Sequence, residues 1–161
     1  MHILVKYLLV FLVSMVPLVE LRGAIPMAVS WGLDSGWELF FAYVVAILGN
    51  MLPVPFIYFF ARKILEWGKD KKIIGKFFTF CLNKGHRAGE KLMKRGDKGF
   101  FIALVLFVGI PIPGTGAWTG TLGASILDAG FKKSSVAVML GVILAGVIMG
   151  VLSLFIKGLF Y

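Results

Sequence analysis

Residues 110–124 read "IPIPGTGAWTGTLGA". Two prolines and three glycines fall within the first eleven positions of a stretch lying in the more hydrophobic half of the chain. A membrane-crossing helix has no use for such a centre, because proline removes a backbone donor and glycine loosens the helix. In hydrocarbon, broken backbone persists only where protein or a water-filled cavity satisfies it. The preceding apolar run, Phe100–Ile110, has eleven residues, about 16 Å as helix and roughly half the hydrocarbon thickness. The return limb, Ala117–Leu127, is equally short. Two half-length limbs around a break predict a re-entrant helical hairpin over about 100–127.

The chain around it has 161 residues, 59% of them hydrophobic, and a net charge of +9; its mean hydropathy is +0.92. These values exclude an ordinary soluble domain and predict one all-α integral membrane unit over 1–161. Fifteen Phe, four Trp and four Tyr suit a lipid-facing surface with interfacial anchors. Cys81 is the single cysteine, so no intramolecular disulfide forms. His2 and His86 are too few and too far apart in sequence to hold a metal. No nucleophile–base set and no phosphate-cradling loop is present, so neither enzyme activity nor a cofactor is expected. Lys6 followed by "YLLVFLVSMVPLV" looks like the start of a secretory signal, but no small-residue cleavage site follows.

Residues 62–98 carry twelve Lys/Arg and four Asp/Glu, nearly the whole net charge. By the positive-inside rule this loop is cytoplasmic. Ile73, Ile74, Phe77, Phe78 and Phe80–Leu82 interleave with the basic residues. That pattern predicts a short amphipathic helix in segment 65–98, lying on anionic inner-leaflet lipids. Nucleic acid, the other partner of basic stretches, has no second sign in its favour.

An internal repeat organises the rest. "LDSGW" at 33–37 matches "LDAGF" at 127–131 at an offset of 94, which also pairs Pro17 with Pro111. Each motif follows a proline-interrupted apolar stretch and precedes a long apolar helix, predicted over 39–64 and 134–156. Repeat 1 (1–64) thus places a re-entrant hairpin at about 3–33, broken at Pro17–Pro26; repeat 2 occupies 99–157. With the basic loop inside, the first hairpin opens outward and the second inward. The flanks agree: Asp34 and Glu38 lie at the outer turn, Lys132 and Lys133 at the inner one. Inverted repeats with broken helices meeting near the midplane are a recurring transporter plan.

Intramembrane polar residues nominate the site. Glu20 and Arg22 stand between two prolines in "PLVELRGAIP" (17–26), where lipid exposure would be costly. Mutual pairing, or pairing with backbone carbonyls, is one reading. The functional one gives Arg22 to an anionic head group and makes Glu20 the proton-coupling carboxylate. In the second hairpin, Gly114 and Gly116 expose amides, while Thr115, Trp118, Thr119 and Thr121 offer donors to a substrate. A helix starting near Ala117 would turn its positive end to the cavity. Asn50, beside Pro53 and Pro55, and Pro26, Pro111 and Pro113 are expected to line that cavity. Asp34 and Asp128 read as turn formers. Ala137, Gly141, Ala145, Gly146 and Gly150 form small-residue stripes suited to helix packing or homodimerisation.

At "ELRGAIPMA" (20–28) and "PIPGTGAWTGTLGAS" (111–125) the sequence resembles the small multi-drug export family and, more distantly, the DedA superfamily of membrane proteins. The resemblance covers nearly the whole chain and implies paired re-entrant hairpins and a transporter-like fold. DedA proteins are associated with moving phospholipid or polyprenyl-phosphate carriers and with proton-dependent drug resistance. Glu20 corresponds to the acid of their first hairpin. Their second hairpin carries arginines around a Pro-Gly turn, whereas Pro113-Gly114-Thr115-Gly116 has none.

These features together predict a small secondary transporter or lipid translocase of a prokaryotic cytoplasmic membrane. It would move an amphipathic anion such as a polyprenyl phosphate or phospholipid, coupled to protons through Glu20. A homodimer suits so small a protomer. Export of cationic amphipathic drugs, with Glu20 as counter-charge and Trp118 as stacking face, is the alternative. A non-transporting membrane scaffold or lipid-binding protein is the third.

Overall fold

A computed structural model describes residues 2–69, 79, 83 and 96–160. Among the described residues the chain is all-helical. The amphipathic helix expected from Ile73 to Leu82 lies outside them.

Helix α1 (Ile3–Met15) opens with His2 Nδ1 accepting from the Leu4 amide. It ends because Pro17 pushes Val16 out of helical geometry, to φ −70°, ψ 126°. Leu18 (φ 71°) and Glu20 (φ 52°) complete a tight reversal, and α2 (Glu20–Ser30) runs back along α1. The break is therefore shorter than the Pro17–Pro26 interval read from the sequence. Pro26 sits inside α2, and its missing N–H leaves the Arg22 carbonyl without a helical donor.

Helix α3 (Gly36–Met51) follows an extended Ser35, whose hydroxyl donates to the Glu38 carboxylate at 2.7 Å. Pro53 and Pro55 then withdraw two donors. The chain answers with a short α4 (Pro53–Phe56), a π-helical turn (Ile57–Ala61) and α5 (Arg62–Gly68), an interruption of the kind proline and π-bulges cause. The second half repeats this order: α6 (Gly96–Gly109), α7 (Ala117–Ile126) and α8 (Phe131–Phe160). Both long helices begin earlier than the sequence suggested. The residues read as polar flanks, Glu38 and Lys132–Lys133, occupy first turns instead.

The α2 and α7 ends share one closing motif. Leu33 N–H bonds the Ala28 carbonyl across Gly32 (φ 78°), and Ala129 N–H bonds that of Ala124 across Asp128 (φ 50°). These carbonyls lie 96 positions apart, so the sequence offset of 94 slips by two residues here.

Small residues bring the helices together. A Cβ on Gly141 would stand 2.6 Å from Val108 Cβ and 2.9 Å from the Val105 carbonyl, so α6 and α8 touch through backbone. Tyr43 lies across Gly146 and Gly150, donating its hydroxyl to the Gly146 carbonyl at 2.6 Å. The small-residue stripe of α8 is thus used within the protomer. Among the described residues two stretches, Gly36–Phe60 and Phe131–Leu159, are long and apolar enough to cross a bilayer, and only 33% of the most apolar part of each is buried. Trp37, Phe41, Phe56, Phe155 and Leu159 stand exposed around them. So large an apolar surface belongs against lipid.

Contacts sort the loops to two ends. At one, Lys6 Nζ donates to the Trp31 carbonyl and Lys157 pairs with Asp34 at 2.5 Å. At the other, the Phe131 ring packs on Tyr58 and Phe59, with centroids 5.3 and 4.8 Å away. The Lys157 hydrogen bond holds the Asp34 carboxyl below its ordinary pKa of 3.8, against partial desolvation. A depressed folded pKa stabilises above the unfolded value and loses that stabilisation as pH falls through the folded one. The melting temperature of wild type is therefore expected to fall more as pH drops below 3.8 than that of Asp34→Asn. Parallel pH profiles would show that the pair contributes nothing.

Candidate functional site at the junction of the two helix pairs

The reversal between α1 and α2 meets the break between α6 and α7. Glu20, only 4% exposed, opens α2. Its Oε2 accepts from the Ala117 amide and its Oε1 from the Trp118 amide, both at 3.1 Å. These are the first two amides of α7, which have no partner within their own helix. A carboxylate also complements the positive end of the helix dipole. The anion expected at this helix start is the protein's own.

Gly116 allows the approach. It precedes α7 at φ 138°, ψ −172°, and a Cβ there would lie 2.3 Å from Glu20 Oε2. That backbone region is essentially reserved to glycine.

Arg22 does the converse at the end of α6. One terminal nitrogen donates to the carbonyls of Ile112 (2.8 Å) and Thr115 (2.7 Å). The other faces the carbonyls of Val108 (2.9 Å) and Ile110 (3.1 Å) and the Thr115 hydroxyl (3.0 Å). The Thr115 hydroxyl in turn reaches the Ile110 and Ile112 carbonyls, at 3.1 and 2.8 Å. A planar fork of donors suits acceptors fanned out by a broken helix end, and a cation there matches the negative dipole end. The backbone break at 110–116 is thus satisfied chiefly by one arginine and one glutamate from the other helix pair.

Of the residues predicted for the site, this junction gathers Glu20, Arg22, Thr115, Gly116 and the Trp118 amide. Pro113 and Gly114 are exposed and Pro111 is half-buried. The carbonyls of this loop turn inward to Arg22, so its ring and tip face outward rather than lining a cavity. Thr119 makes a long contact to the Gly116 carbonyl, 3.4 Å. Pro26 lies apart, on a groove of about 570 Å³ shared with Val29, Met149 and Ile156. Arg22, assigned to a substrate head group, is instead occupied by main-chain acceptors, because those carbonyls have no helical donors of their own.

Other polar groups remain unsatisfied. Asn50 Oδ1, Thr121 Oγ1 and Trp118 Nε1 are buried without a hydrogen-bond partner; Asn50 is 2% and Thr121 1% exposed. Trp118 borders a groove of about 460 Å³ with Met15, Leu52, Pro53, Phe56 and Ile57. Trp118, Thr121 and Ser125 follow one another along α7, and the Ser125 hydroxyl donates to the Tyr58 carbonyl at 2.5 Å, holding this part of the helix against the proline-interrupted stretch. Ser134 and Ser135 also keep unpartnered hydroxyls. Sequence reasoning passed over them, although two adjacent serines entering an apolar helix were a visible signal.

No curated protein and no solved structure gives a significant match to the chain. The family described as "Putative small multi-drug export protein" matches residues 20–148, beginning at Glu20 and including the whole junction. This membrane chain therefore belongs to the small multi-drug export protein family.

Proposed function

We propose that the protein is a small membrane exporter of amphipathic compounds, built from two inverted repeats whose re-entrant hairpins are held together by Glu20 and Arg22. The latch itself carries the reading: each charged group of one hairpin caps a helix end of the other. Such hydrogen bonds can be exchanged, so the halves can part and re-engage without unfolding their helices. The contacts at the two ends support inversion, since Lys6 meets Trp31 at one end while Lys98 and Lys133 share a groove at the other. With segment 65–98 on the cytoplasmic side, the first hairpin opens outward and the second inward.

Energetics bear on the substrate. An anionic head group on Arg22 would displace the carbonyls of residues 108–115, each left unpaired at about 1–3 kcal/mol. A polyprenyl phosphate bound there would have to repay several such losses. The Trp118 groove is almost wholly apolar, and the Nε1 of its Trp118 is buried without a hydrogen-bond partner. That environment favours a neutral or cationic amphipathic compound recognised by an aromatic face and a few hydrogen bonds. We assign any proton coupling to Glu20, whose carboxylate holds both amides of the latch.

The test is flux in proteoliposomes loaded with a fluorescent lipophilic cation. Wild type is expected to transport it, Trp118→Ala to slow it several-fold, and Glu20→Gln to abolish the response to a pH gradient. Movement of labelled polyprenyl phosphate in place of the cation would return the site to Arg22. Flux of neither by well-inserted protein would leave the scaffold reading.

A further inference from the structure

We infer, on the exporter reading above, that the groove between α2 and the second half of α8 is a release site for a protonated amphipathic amine. Its volume of about 570 Å³ suits a drug-sized compound, and Val29, Leu152 and Ile156 give it an apolar wall. Its polar lining is Ser30, Ser153 and Lys157. The Ser153 hydroxyl donates to the Met149 carbonyl at 2.6 Å and the Ser30 hydroxyl to that of Met27 at 2.7 Å. With both protons committed, these oxygens offer the groove only lone pairs. Lys157 is no lone cation, because it is paired with Asp34 Oδ2 at 2.5 Å. The Asp34 side chain is 31% exposed, and a carboxylate has acceptor sites beyond the one used. Hydroxyl acceptors and a shared carboxylate complement an N–H⁺ group on an apolar body. An anion would instead meet the hydroxyl lone pairs and compete with Asp34 for Lys157.

Its place in the fold makes this groove the counterpart of the Trp118 groove. One lies between α2 and the last span, the other between α7 and the proline-interrupted span. The sequence offset of 94 carries Phe56 and Phe60 of the Trp118 groove onto Gly150 and Leu154, inside the Met149–Ile156 stretch of this one. The two face opposite ends: Lys157 and Gly32 mark the end of the Asp34 pair, Ile57 and Phe60 that of the Phe131 ring stack. The Glu20 latch stands between them. Glu20 holds the amide of Trp118, and its own helix α2 runs on to Pro26 and Ser30 in this groove. In the exporter this is the outward end. A cation that reaches Asp34 there is also repelled by Lys157, so it is held weakly, as release requires.

Full-length protein in neutral detergent would be labelled with a photoreactive amphipathic tertiary amine, and the labelled residues mapped by mass spectrometry. Wild type is expected to carry label between Met149 and Ile156, displaced by the unlabelled amine more strongly than by a neutral alcohol of the same apolar body. Asp34→Asn should weaken that binding about two- to fivefold and Lys157→Gln should tighten it as much, the scale of a partly exposed charge pair. Ser153→Leu fills the groove and should remove its label while leaving that at the Trp118 groove, which also shows that the variant is folded. No label in the groove, equal displacement by amine and alcohol, or no response to either charge variant would overturn the site. Flux of the same amine in proteoliposomes separates the two readings. A labelled groove without flux would sink the exporter and leave the amine site, whereas flux without label in the groove would do the reverse.

Discussion

Replacing Arg22 by alanine is expected to destabilise the protein by about 2–4 kcal/mol, the scale of stranding acceptors formerly held by a buried charge. Arg22 faces four carbonyls and a hydroxyl across the junction. Alanine would take this donor from the Val108 and Thr115 carbonyls, while the Thr115 hydroxyl still reaches those of Ile110 and Ile112. Arg22→Lys should recover less than half, because a compact ammonium cannot span acceptors fanned from Val108 to Thr115. Glu20→Gln should cost less, about 1–2 kcal/mol: its amide oxygen still accepts one N–H, while its NH₂ opposes the other. Equilibrium unfolding in mixed micelles would measure all three. If Arg22→Ala stays within 0.5 kcal/mol of wild type, roughly the scatter for neutral surface substitutions, the arginine is not holding the break together.

Gly116→Ala is expected to be the most damaging single-methyl addition at the junction. The backbone there (φ 138°, ψ −172°) is closed to alanine, and the added carbon would stand 2.3 Å from Glu20 Oε2. Strain of about 1–3 kcal/mol adds to loss of the carboxylate from α7, for a total of at least about 3 kcal/mol. Gly114→Ala, two residues earlier in the same loop, provides the internal comparison. Gly114 also has a positive φ, 82°, but nothing lies within 4 Å of its Cβ position. It should lose only about 1 kcal/mol. Equal losses at the two positions would locate the effect in backbone conformation alone and remove steric contact with Glu20 from the account.

The two effects meet in function. In the exporter proposed above, hydrogen bonds across this junction would tie stability to ease of opening. Arg22→Lys is accordingly the variant in which transport and stability can be compared without loss of the fold.

Much of this architecture was legible because proline, glycine and charge act locally. Pro17 ends α1 through the residue before it, and Pro53 with Pro55 interrupts α3, as their chemistry requires of any neighbours. The shortness of the limbs on either side of "IPIPGTGAWTGTLGA" and the cost of Glu20 and Arg22 in hydrocarbon also needed only sequence. The extent of the first break was misjudged, because Pro26 is tolerated inside α2 rather than ending it. Ser134 and Ser135 were overlooked, because whether a hydroxyl is satisfied depends on what packs over it.

Sequence by itself predicted an all-helical membrane chain with two spans, two broken stretches and two charges that must find partners. Only the tertiary structure decided which partners. Glu20 is about a hundred residues from Ala117, and Arg22 nearly as far from Val108, so no periodicity or local propensity couples them. Both readings of Arg22, ligand site or structural cap, obey the same rule that a buried cation needs acceptors. Packing brings Arg22 of α2 within hydrogen-bond reach of the main-chain carbonyls at the end of α6 and beyond it.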